Sequence, residues 1–372
     1  MKICSPHCGA EPQSQSGGES YERMLIKWLA DHGDDVHVIL ARHKTAMRGA
    51  SVVHRPPIWR GLRWWVTPFV WPPAIWRCWS ACGGFDVLRA HSVRYAGPSC
   101  LIARRLLRLP VPVVTHIHHL DPSPLNWQIE RRVLMASDLV ITDSDFAQGQ
   151  LTGDLGIPAD HIRVANSGIS TEKHHPRPEA AARYTWPGRA VVAACGQLIE
   201  RKDPMFALRV LEALKVKGYG ERIGLSWLGE GPMRAACEQY AQEHGLTQMV
   251  RFEGFVDDSV QQAIYNRCDV FVHPSVREGF ALAPQGAMAC GKPVVCRPAA
   301  SMGEMVKDGH TGFVRQTEAE WADAIIQLVT DAQLREVMGR NALEDARNRF
   351  TFDRTAKLVR GYYEEAIAAR RR

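Results

Sequence analysis

The stretch REGFALAPQGAMACGKPVV, residues 277–295, carries the strongest local signal in the chain. A carboxylate at Glu278 is followed by Gly-Phe, then by a predicted helix from Pro284 to Gly291, then by an apolar strand. Eight residues after the first carboxylate, where a second would complete a pair, the chain has Gly286. The stretch therefore predicts a functional site that is intact, adapted or degenerate, and the rest of the chain has to distinguish these.

Short apolar runs alternate with amphipathic stretches along the whole chain, which is typical of parallel sheets covered by helices. A length of 372 residues suits two domains, and the polar, proline-flanked segment 176–187 is a predicted linker. We therefore predict an α/β fold with two doubly wound halves facing across a cleft, and ligands at the carboxyl ends of the strands. The predicted strands begin near residues 2, 36, 86, 111, 139, 190, 223, 250, 270 and 294.

The composition is that of a globular protein, with 45% hydrophobic and 23% charged residues. We find no apolar run long enough for a signal peptide or a membrane-spanning helix, which predicts a cytoplasmic protein. Ten cysteines occur without a CxxC pair. Cys4/Cys8 and Cys78/Cys82 have a spacing that a helical metal site could use, but no matched His/Cys pair follows them. The sequence therefore predicts reduced, mostly buried thiols and no metal.

Residues 36–85 contain no acidic residue, yet they hold seven basic ones and six of the eleven tryptophans. No nucleic-acid-binding motif accompanies this charge. Two interpretations remain open. Basic residues interleaved with tryptophan suit contact between segment 55–79 and an anionic membrane surface, since indole rings prefer the headgroup region. A proline-broken, tryptophan-rich loop packed into the N-terminal core would give the same composition.

Neither half opens on GxGxxG, and no Walker loop is present, so dinucleotide-binding and NTPase functions lose support. Asp143-Ser144-Asp145 follows an apolar strand and precedes a helical stretch. An Asp-x-Asp pair can hold a divalent metal on a sugar donor, but Ser144 is also well placed to cap the helix. We favour the capping role.

Five motifs follow one another in the second half, namely GQLIERK at 196–202, LGEGP at 228–232, VRFEGFV at 250–256, YNRCDVFVHPS at 265–275 and the stretch 277–295. In this order and spacing they resemble the donor domain of family-4 retaining glycosyltransferases, which have the GT-B fold of two Rossmann-like domains. The first half agrees more loosely, through SGGES at 16–20, DVLRAHS at 86–92, VVTHIHHLD at 113–121 and NSGIS at 166–170. The resemblance is weak between about residues 42 and 85. It implies domains at 1–175 and 187–350, with a C-terminal helix at 351–372 that packs toward the first domain.

The resemblance also implies roles for individual residues. Lys202 matches the diphosphate-binding lysine, Glu278 the carboxylate that holds donor-sugar hydroxyls, and His118 a histidine near the reacting sugar carbon. His116 and His119 leave the histidine assignment open by one position, and a surface lysine or a core histidine would fit the same residues. Gln197 stands where the family usually has arginine, and Arg201 is a candidate replacement. The other predicted donor contacts are Gly17, Gly18, Gly196, Gly229, Gly254, Phe255, Val256, Gly279, Phe280, Ala281 and Leu282.

Gly286 falls where the family usually has a second glutamate, which binds the donor ribose. Losing a charged acceptor for a ribose hydroxyl costs roughly 1.5–3 kcal/mol, or about 10- to 150-fold in affinity. Lys202 and Glu278 are still present, which favours an adapted site in which Gln285 or a water covers the ribose.

The resemblance implies a metal-independent, cofactor-free enzyme that moves a sugar from a UDP- or GDP-linked donor to a hydroxyl of a sugar or lipid-linked acceptor. The setting would be cell-envelope polysaccharide or glycolipid synthesis at the inner face of the cytoplasmic membrane, with no nucleic-acid partner. A non-catalytic nucleotide-sugar-binding scaffold and a nucleotide-sugar epimerase of the same fold are the alternatives.

Overall fold

A computed structural model describes residues 1–7, 17–40, 50–55, 63–118 and 124–372. The chain forms two compact units, of which the first comprises Met1–Ser167 with Phe352–Arg372 and the second Gly168–Thr351. The predicted first domain ended later, at residue 175. Residues 168–175 join the second unit instead, where Ile169 is buried and its N–H donates to Phe350 O at 2.8 Å.

Among the described residues of the first unit, seven strands form one parallel sheet in the order β3-β2-β1-β4-β5-β6-β7. The strands are β1 Lys2–His7, β2 Asp35–Leu40, β3 Val52–His54, β4 Val87–Ala90, β5 Val113–Ile117, β6 Leu139–Thr142 and β7 Ile162–Val164. The helices before the second unit are α1 Gly17–Asp31, α2 Arg63–Cys82, α3 Ala96–Leu106, α4 Pro124–Ala136 and α5 Asp145–Gly153. The sequence predicted β1, β2, β4, β5 and β6, and it missed the two three-residue edge strands β3 and β7.

Alternate residues of each strand point to opposite faces of this sheet, so its two faces carry separate cores. Val36, Val38 and Leu40 of β2 pack with α1, whereas Ile39 packs with α2 and α3. Helix α1 presents Tyr21, Leu25 and Leu29 to its core at the spacing that the sequence predicted.

Helix α2 corrects one of the two interpretations of the tryptophan-rich segment, the proline-broken loop packed into the N-terminal core. It remains helical despite prolines at 68, 72 and 73, because Trp71, Ile75 and Cys78 recur at helical spacing and bury one face. The other face leaves Phe69 77% and Trp76 51% exposed. Segment 56–62 of the same prediction lies outside the described residues.

The described residues of the second unit contain a second parallel sheet, in the order β10-β9-β8-β11-β12-β13. Its strands are β8 Ala190–Cys195, β9 Ile223–Leu228, β10 Val250–Gly254, β11 Val270–His273, β12 Val294–Cys296 and β13 Gly312–Val314. Its helices are α6 Pro178–Ala181, α7 Pro204–Val216, α8 Arg234–Glu243, α9 Asp258–Arg267, α10 Leu282–Ala289, α11 Met302–Met305, α12 Glu318–Thr330 and α13 Ala332–Arg349. The predicted linker 176–187 is part of this unit, since Ala180 of α6 and Trp186 are buried.

The last helix, α14 Phe352–Arg371, returns to the first unit and packs beside α1. Its Tyr363 is fully buried, and the phenol oxygen accepts from Arg89 Nε at 2.7 Å and lies 2.8 Å from His116 Nε2. Arg89 in turn donates to both carboxylate oxygens of Glu22 on α1, at 2.6 Å each. A buried ion pair and a tyrosine therefore tie β4, α1 and α14 together.

Candidate active site

The predicted diphosphate-binding turn lies at the carboxyl end of β8, beside β11. These two strands are neighbours although they are far apart in sequence, which makes this the topological switch point where doubly wound sheets bind ligands. Gly196 directly follows the strand, and a Cβ there would lie 3.3 Å from Cδ of Lys202, so the glycine lets the lysine stem pack closely. Asp203 follows with a left-handed φ of 45° and caps α7 by accepting from Phe206 N–H at 3.1 Å. A strained non-glycine residue of this kind is typical of functional turns.

Three basic side chains converge on the carboxylate of Glu278. Lys202 Nζ donates to its Oε1, Arg201 donates from NH1 to its Oε2 at 2.9 Å, and His273 Nε2 lies 3.4 Å from its Oε1. The side chain of Glu278 is 9% exposed and that of Lys202 15%, whereas Arg201 is 43% exposed. Burial opposes ionisation of Glu278, but His273, Lys202 and Arg201 outweigh it and hold its pKa well below the ordinary value.

His273 is a site residue that the sequence prediction missed. It is the last residue of β11 and is 2% exposed. Burial lowers its pKa, and the neighbouring Glu278 carboxylate only partly opposes this. A neutral imidazole therefore lies beside the carboxylate, which also forms ion pairs with Lys202 and Arg201. Its position at a strand end, within the quoted motif VFVHPS, was the available signal.

Backbone groups from the predicted donor motifs meet at this edge of the sheet. Gly229 has a φ of 134°, and a Cβ there would lie 2.2 Å from Gly196 O, so only glycine fits. Its N–H donates to Gly254 O at 2.8 Å, which joins the ends of β9 and β10. Beyond Gly254, Phe255 is 64% exposed and Val256 is partly buried.

Helix α10 begins at Leu282 and ends at Ala289, whereas the sequence predicted residues 284–291. The predicted contact residues Gly279, Phe280 and Ala281 therefore form the approach to its first turn. Ala281 occupies the N-cap position without a capping side chain, and amides at a helix N-terminus are suited to bind an anion.

Gly286 is buried in α10, and its neighbours explain why a side chain is absent. A Cβ there would lie 2.9 Å from Tyr265 Cε2 and 3.1 Å from the His174 ring. His174 is held by Gln262 at 3.1 Å, and burial, followed by Lys173, lowers its pKa to about 4, so the ring is neutral. The rings of Tyr265 and His174 thus fill the space that a glutamate side chain at position 286 would enter. Gln285, predicted to cover the ribose, is fully buried, and its amide has no hydrogen-bond partner among the described residues.

Gln197, which stands where the family usually has arginine, is exposed at this edge, so this position carries no basic side chain. Arg201, the candidate replacement, directs its guanidinium to Glu278 and to Arg277 O at 3.0 Å.

In the first unit, His118 follows β5 at the carboxyl edge of the sheet. Its Nδ1 lies 3.1 Å from Asp143 Oδ2, and Tyr21 packs edge-on against the ring at 5.3 Å. Burial lowers the pKa of His118, but Asp143 outweighs burial and raises it. His116, the neighbouring alternative, is 2% exposed, and its Nε2 lies 2.8 Å from the Tyr363 phenol oxygen. His116 therefore occupies a core position. His119 lies outside the described residues.

Two other predictions fall on this edge. Ser144 is the N-cap of α5 and accepts from Ala147 N–H at 3.1 Å, so the predicted capping role is confirmed. Gly17 and Gly18, expected in a flexible loop, are instead the first two residues of α1 and are exposed. Residues 8–16, which precede the helix in sequence, lie outside the described residues.

No described helix has both the length and the apolar character needed to cross a membrane.

The two halves of the chain match two glycosyltransferase families. Residues 15–173 match the family described as Glycosyltransferase Family 4, and residues 177–345 match Glycosyl transferases group 1.

Named relatives agree with these matches. A D-inositol 3-phosphate glycosyltransferase from Saccharomonospora viridis is 31% identical over 312 residues, covering 77% of this chain and 72% of that protein. One from Stackebrandtia nassauensis is 29% identical over 317 residues, covering 77% and 70%.

Solved structures share the fold. Sucrose-phosphate synthase from Thermosynechococcus elongatus has a TM-score of 0.82 at 20% identity and covers 99% of this chain and 100% of its own. Anabaena HepE, in complex with UDP and glucose, has a TM-score of 0.81 at 22% identity and covers 98% and 99%. With both halves matched and a relative above 30% identity, the chain belongs to the family-4 glycosyltransferases and has the GT-B fold.

Proposed function

We propose that this glycosyltransferase moves a sugar from a nucleoside diphosphate donor to an acceptor hydroxyl, with retention at the anomeric carbon and without a metal. The observation that carries the proposal is the convergence of Lys202, Arg201 and His273 on Glu278 at the switch point of the second sheet. In one partly buried site, cations can bind the phosphates of a sugar diphosphate, and an ionised carboxylate can accept hydrogen bonds from its sugar hydroxyls.

In the proposed reaction the acceptor oxygen bonds to the anomeric carbon as the bond to the diphosphate oxygen breaks. The acceptor proton passes to the departing phosphate on the same face of the sugar. Charge grows on that phosphate, so the positive charges of Lys202 and Arg201 stabilise the transition state more than the ground state. Amides at the start of α10 add to this stabilisation.

Glu278 is proposed to orient the sugar. Its pKa is held well below the ordinary value, so it is a charged acceptor throughout the working pH range. Such an acceptor holds two sugar hydroxyls strongly. His118 is proposed to contact the donor sugar as the family resemblance implies, with Asp143 fixing the ring through Nδ1.

UDP-glucose is the first donor to test, because HepE is described in complex with UDP and glucose. Phe255, 64% exposed at the end of β10, offers a ring face to a nucleobase. A thermal-shift screen of UDP-glucose, UDP-GlcNAc and GDP-mannose would identify the nucleotide and the sugar together.

The acceptor is proposed to be a phosphorylated polyol or a lipid-linked sugar. The named relatives are D-inositol 3-phosphate glycosyltransferases, which supports the first. Helix α2 supports the second, since Phe69 and Trp76 lie seven residues apart on its exposed face with Arg77 beside them. Exposed aromatic and basic side chains of this kind suit the headgroup region of an anionic membrane, and we propose peripheral membrane contact there.

The central test is transfer by Lys202→Ala and Lys202→Arg, with Lys217→Ala as the matched control. Lys217 is an exposed lysine of the same unit that pairs with Asp323 on the surface at 2.7 Å. We expect Lys202→Ala to lose roughly 10²- to 10³-fold in kcat, Lys202→Arg to keep part of it, and the control to match the wild type. Full activity in excess EDTA added at the start of the assay, and retention, seen by NMR of the product's anomeric proton, complete the prediction.

Other outcomes would reject the proposal in distinct ways. Activity that is restored only by manganese would indicate that Asp143 and Asp145 bind a metal ion. Donor binding without hydrolysis or transfer, for all three donors and several acceptors, would indicate a scaffold. Conversion of a donor to its epimer without acceptor would indicate an epimerase.

Membrane contact is tested by flotation with anionic liposomes. We expect the wild type to float at low salt and a Phe69→Ser/Trp76→Ser variant to float several-fold less. Val216→Ser, at a residue 83% exposed in the second unit, is the control for surface hydrophobicity. A wild type that stays unbound at low salt removes the support for membrane contact.

A further inference from the structure

The first unit contains a cluster of sulfur and nitrogen atoms that the proposed transfer reaction does not use. One ligand atom each from His37, Cys78 and Cys82 lie within 4.8 Å of one another. The two cysteines are four residues apart on the last turns of α2, so they share a face of the helix. His37 lies on β2, on the face of the sheet that α2 covers, because its register neighbour Cys4 and its strand neighbour Ile39 both belong to that core.

The geometry of His37 is that of a metal ligand. Its Nε2 lies 3.1 Å from Asp35 Oδ2, while its Nδ1 is buried without a hydrogen-bond partner among the described residues. An imidazole that donates one N–H to a carboxylate presents the lone pair of the other nitrogen, which is the arrangement found behind metal-ligating histidines. A buried lone pair left unpaired is otherwise costly.

A fourth candidate donor, His54, contacts Cys78 but lies outside the group of three within 4.8 Å. His54, on β3, pairs in register with Ile39 of β2 and therefore faces the same side of the sheet. The His54 imidazole interacts with Cys78, and its Nε2 is buried without a hydrogen-bond partner among the described residues. Cys4 also approaches Cys78 from β1.

We propose that Cys78, Cys82, His37 and His54 bind one zinc ion that stabilises the first unit. Two thiolates and two imidazoles form a common zinc ligand set. In tetrahedral zinc, Zn–S bonds near 2.3 Å and Zn–N bonds near 2.0–2.1 Å place the ligand atoms roughly 3.3–3.8 Å apart. The separations among His37, Cys78 and Cys82 therefore have to close by about 1 Å, which a movement of the last turn of α2 can supply, and His54 has to move further toward the other three. The thiols must lose their protons, and Cys82 then gives up its weak bond to Gly84 O at 3.3 Å.

This ion would be structural and separate from sugar transfer. The cluster faces the amino-terminal half of β2, where Asp35 is the first residue of the strand, whereas His118 follows the carboxyl end of β5. Parallel sheets bind substrates at their carboxyl ends. The sequence alone predicted no metal because no His/Cys pair follows Cys78 and Cys82 in the chain. The two histidines instead precede them by 41 and 24 residues.

The experiment measures metal in the untagged full-length protein, purified without chelator, by ICP-MS. We expect about one zinc per chain in the wild type and in Cys237→Ser, a control at a buried cysteine of the second unit. Cys82→Ser and His37→Gln are expected to lose most of it. Stoichiometric zinc in both of these variants, or less than about 0.1 of any metal per wild-type chain, overturns the proposal.

A cobalt titration of zinc-stripped wild-type protein tests the metal site even if a variant fails to fold. We expect a thiolate-to-cobalt charge-transfer band that saturates at one equivalent and loses about half its intensity in Cys82→Ser, because two thiolates bind. His54→Gln should weaken cobalt binding, and Cys4→Ser should leave the band unchanged. A band that falls in Cys4→Ser, or cobalt binding that is unchanged in His54→Gln, overturns the ligand set, and a disulfide in protein prepared anaerobically overturns the site.

Discussion

The substitution Gly286→Glu tests the site most sharply, because sequence and structure predict opposite results. From the sequence, restoring the family's carboxylate should tighten donor binding by up to the roughly 1.5–3 kcal/mol of a charged hydrogen bond. In the structure, the Cβ alone would lie 2.9 Å from Tyr265 and 3.1 Å from His174. Cβ contacts below 3.0 Å require a neighbour to move, and both neighbours here are rings that pack at a centroid distance of 5.7 Å.

The magnitude follows from three contributions. Overpacking a buried site destabilises by about 1–3 kcal/mol, and a carboxylate without a buried partner adds about 1–3 kcal/mol. Replacing a glycine within a helix stabilises the folded state by about 1 kcal/mol. We therefore expect Gly286→Glu to lower the free energy of unfolding by about 1–5 kcal/mol, and Gly286→Ala, which lacks the carboxylate, by about 0–2 kcal/mol. At roughly 2–4 °C per kcal/mol, the glutamate variant should melt about 2–20 °C lower.

The assay combines thermal unfolding with donor KM for four proteins, namely wild type, Gly286→Glu, His174→Ala and the double variant. We expect the single glutamate variant to melt lower without a lower donor KM. Removing the His174 ring frees space and lets Tyr265 tilt, so the double variant should bind donor more tightly than His174→Ala, by up to about 10- to 150-fold. The effect should appear in KM and not in kcat, because a ribose contact is equal in ground and transition states. A glutamate variant that melts like the wild type and has a lower KM would refute this packing argument.

Three further predictions concern the first unit. Glu22→Gln leaves Arg89 charged and buried, so urea unfolding should show a loss of about 3–5 kcal/mol, and a loss below about 1 kcal/mol would contradict the buried ion pair. Asp143→Asn should lower the pKa of His118 in an NMR titration, because Asp143 is what raises it, and an unchanged pKa would show that the contact is absent in solution. Burial lowers the pKa of His91 to about 4, so the unfolded chain binds this proton first as the solution is acidified. The free energy of unfolding should therefore fall between pH 6.5 and pH 4, and His91→Gln should flatten that slope.

Strand positions and the edge that carries the site were accessible from the sequence, because buried parallel strands are continuous apolar runs and ligands bind where such strands end. Lys202 and Glu278 fall at those ends through short motifs. Helix boundaries were less accurate, as α10 shows, because its first turn contains no side chain that caps it.

The contacts that adapt the site could not be predicted in this way. His174 lies next to Gly286 although 112 residues separate them in the chain, and Asp143 reaches His118 across 25 residues. Neither periodicity nor local propensity carries information about such pairs. The helical state of α2 was missed for a related reason, since burial of Trp71 and Ile75 overrides the local effect of three prolines.

The return of α14 to the first unit has a consequence for synthesis on the ribosome. The second unit is one continuous segment, Gly168–Thr351, and every strand of its sheet has emerged before α14 is translated. The first unit begins earlier but lacks Tyr363 and the apolar face of α14 until α14 is translated. During that interval Arg89 and His116 have no phenol partner, and the apolar residues that α14 covers beside α1 remain exposed. The second unit can therefore be completed before the first, and the unfinished first unit exposes apolar surface of the kind that promotes aggregation.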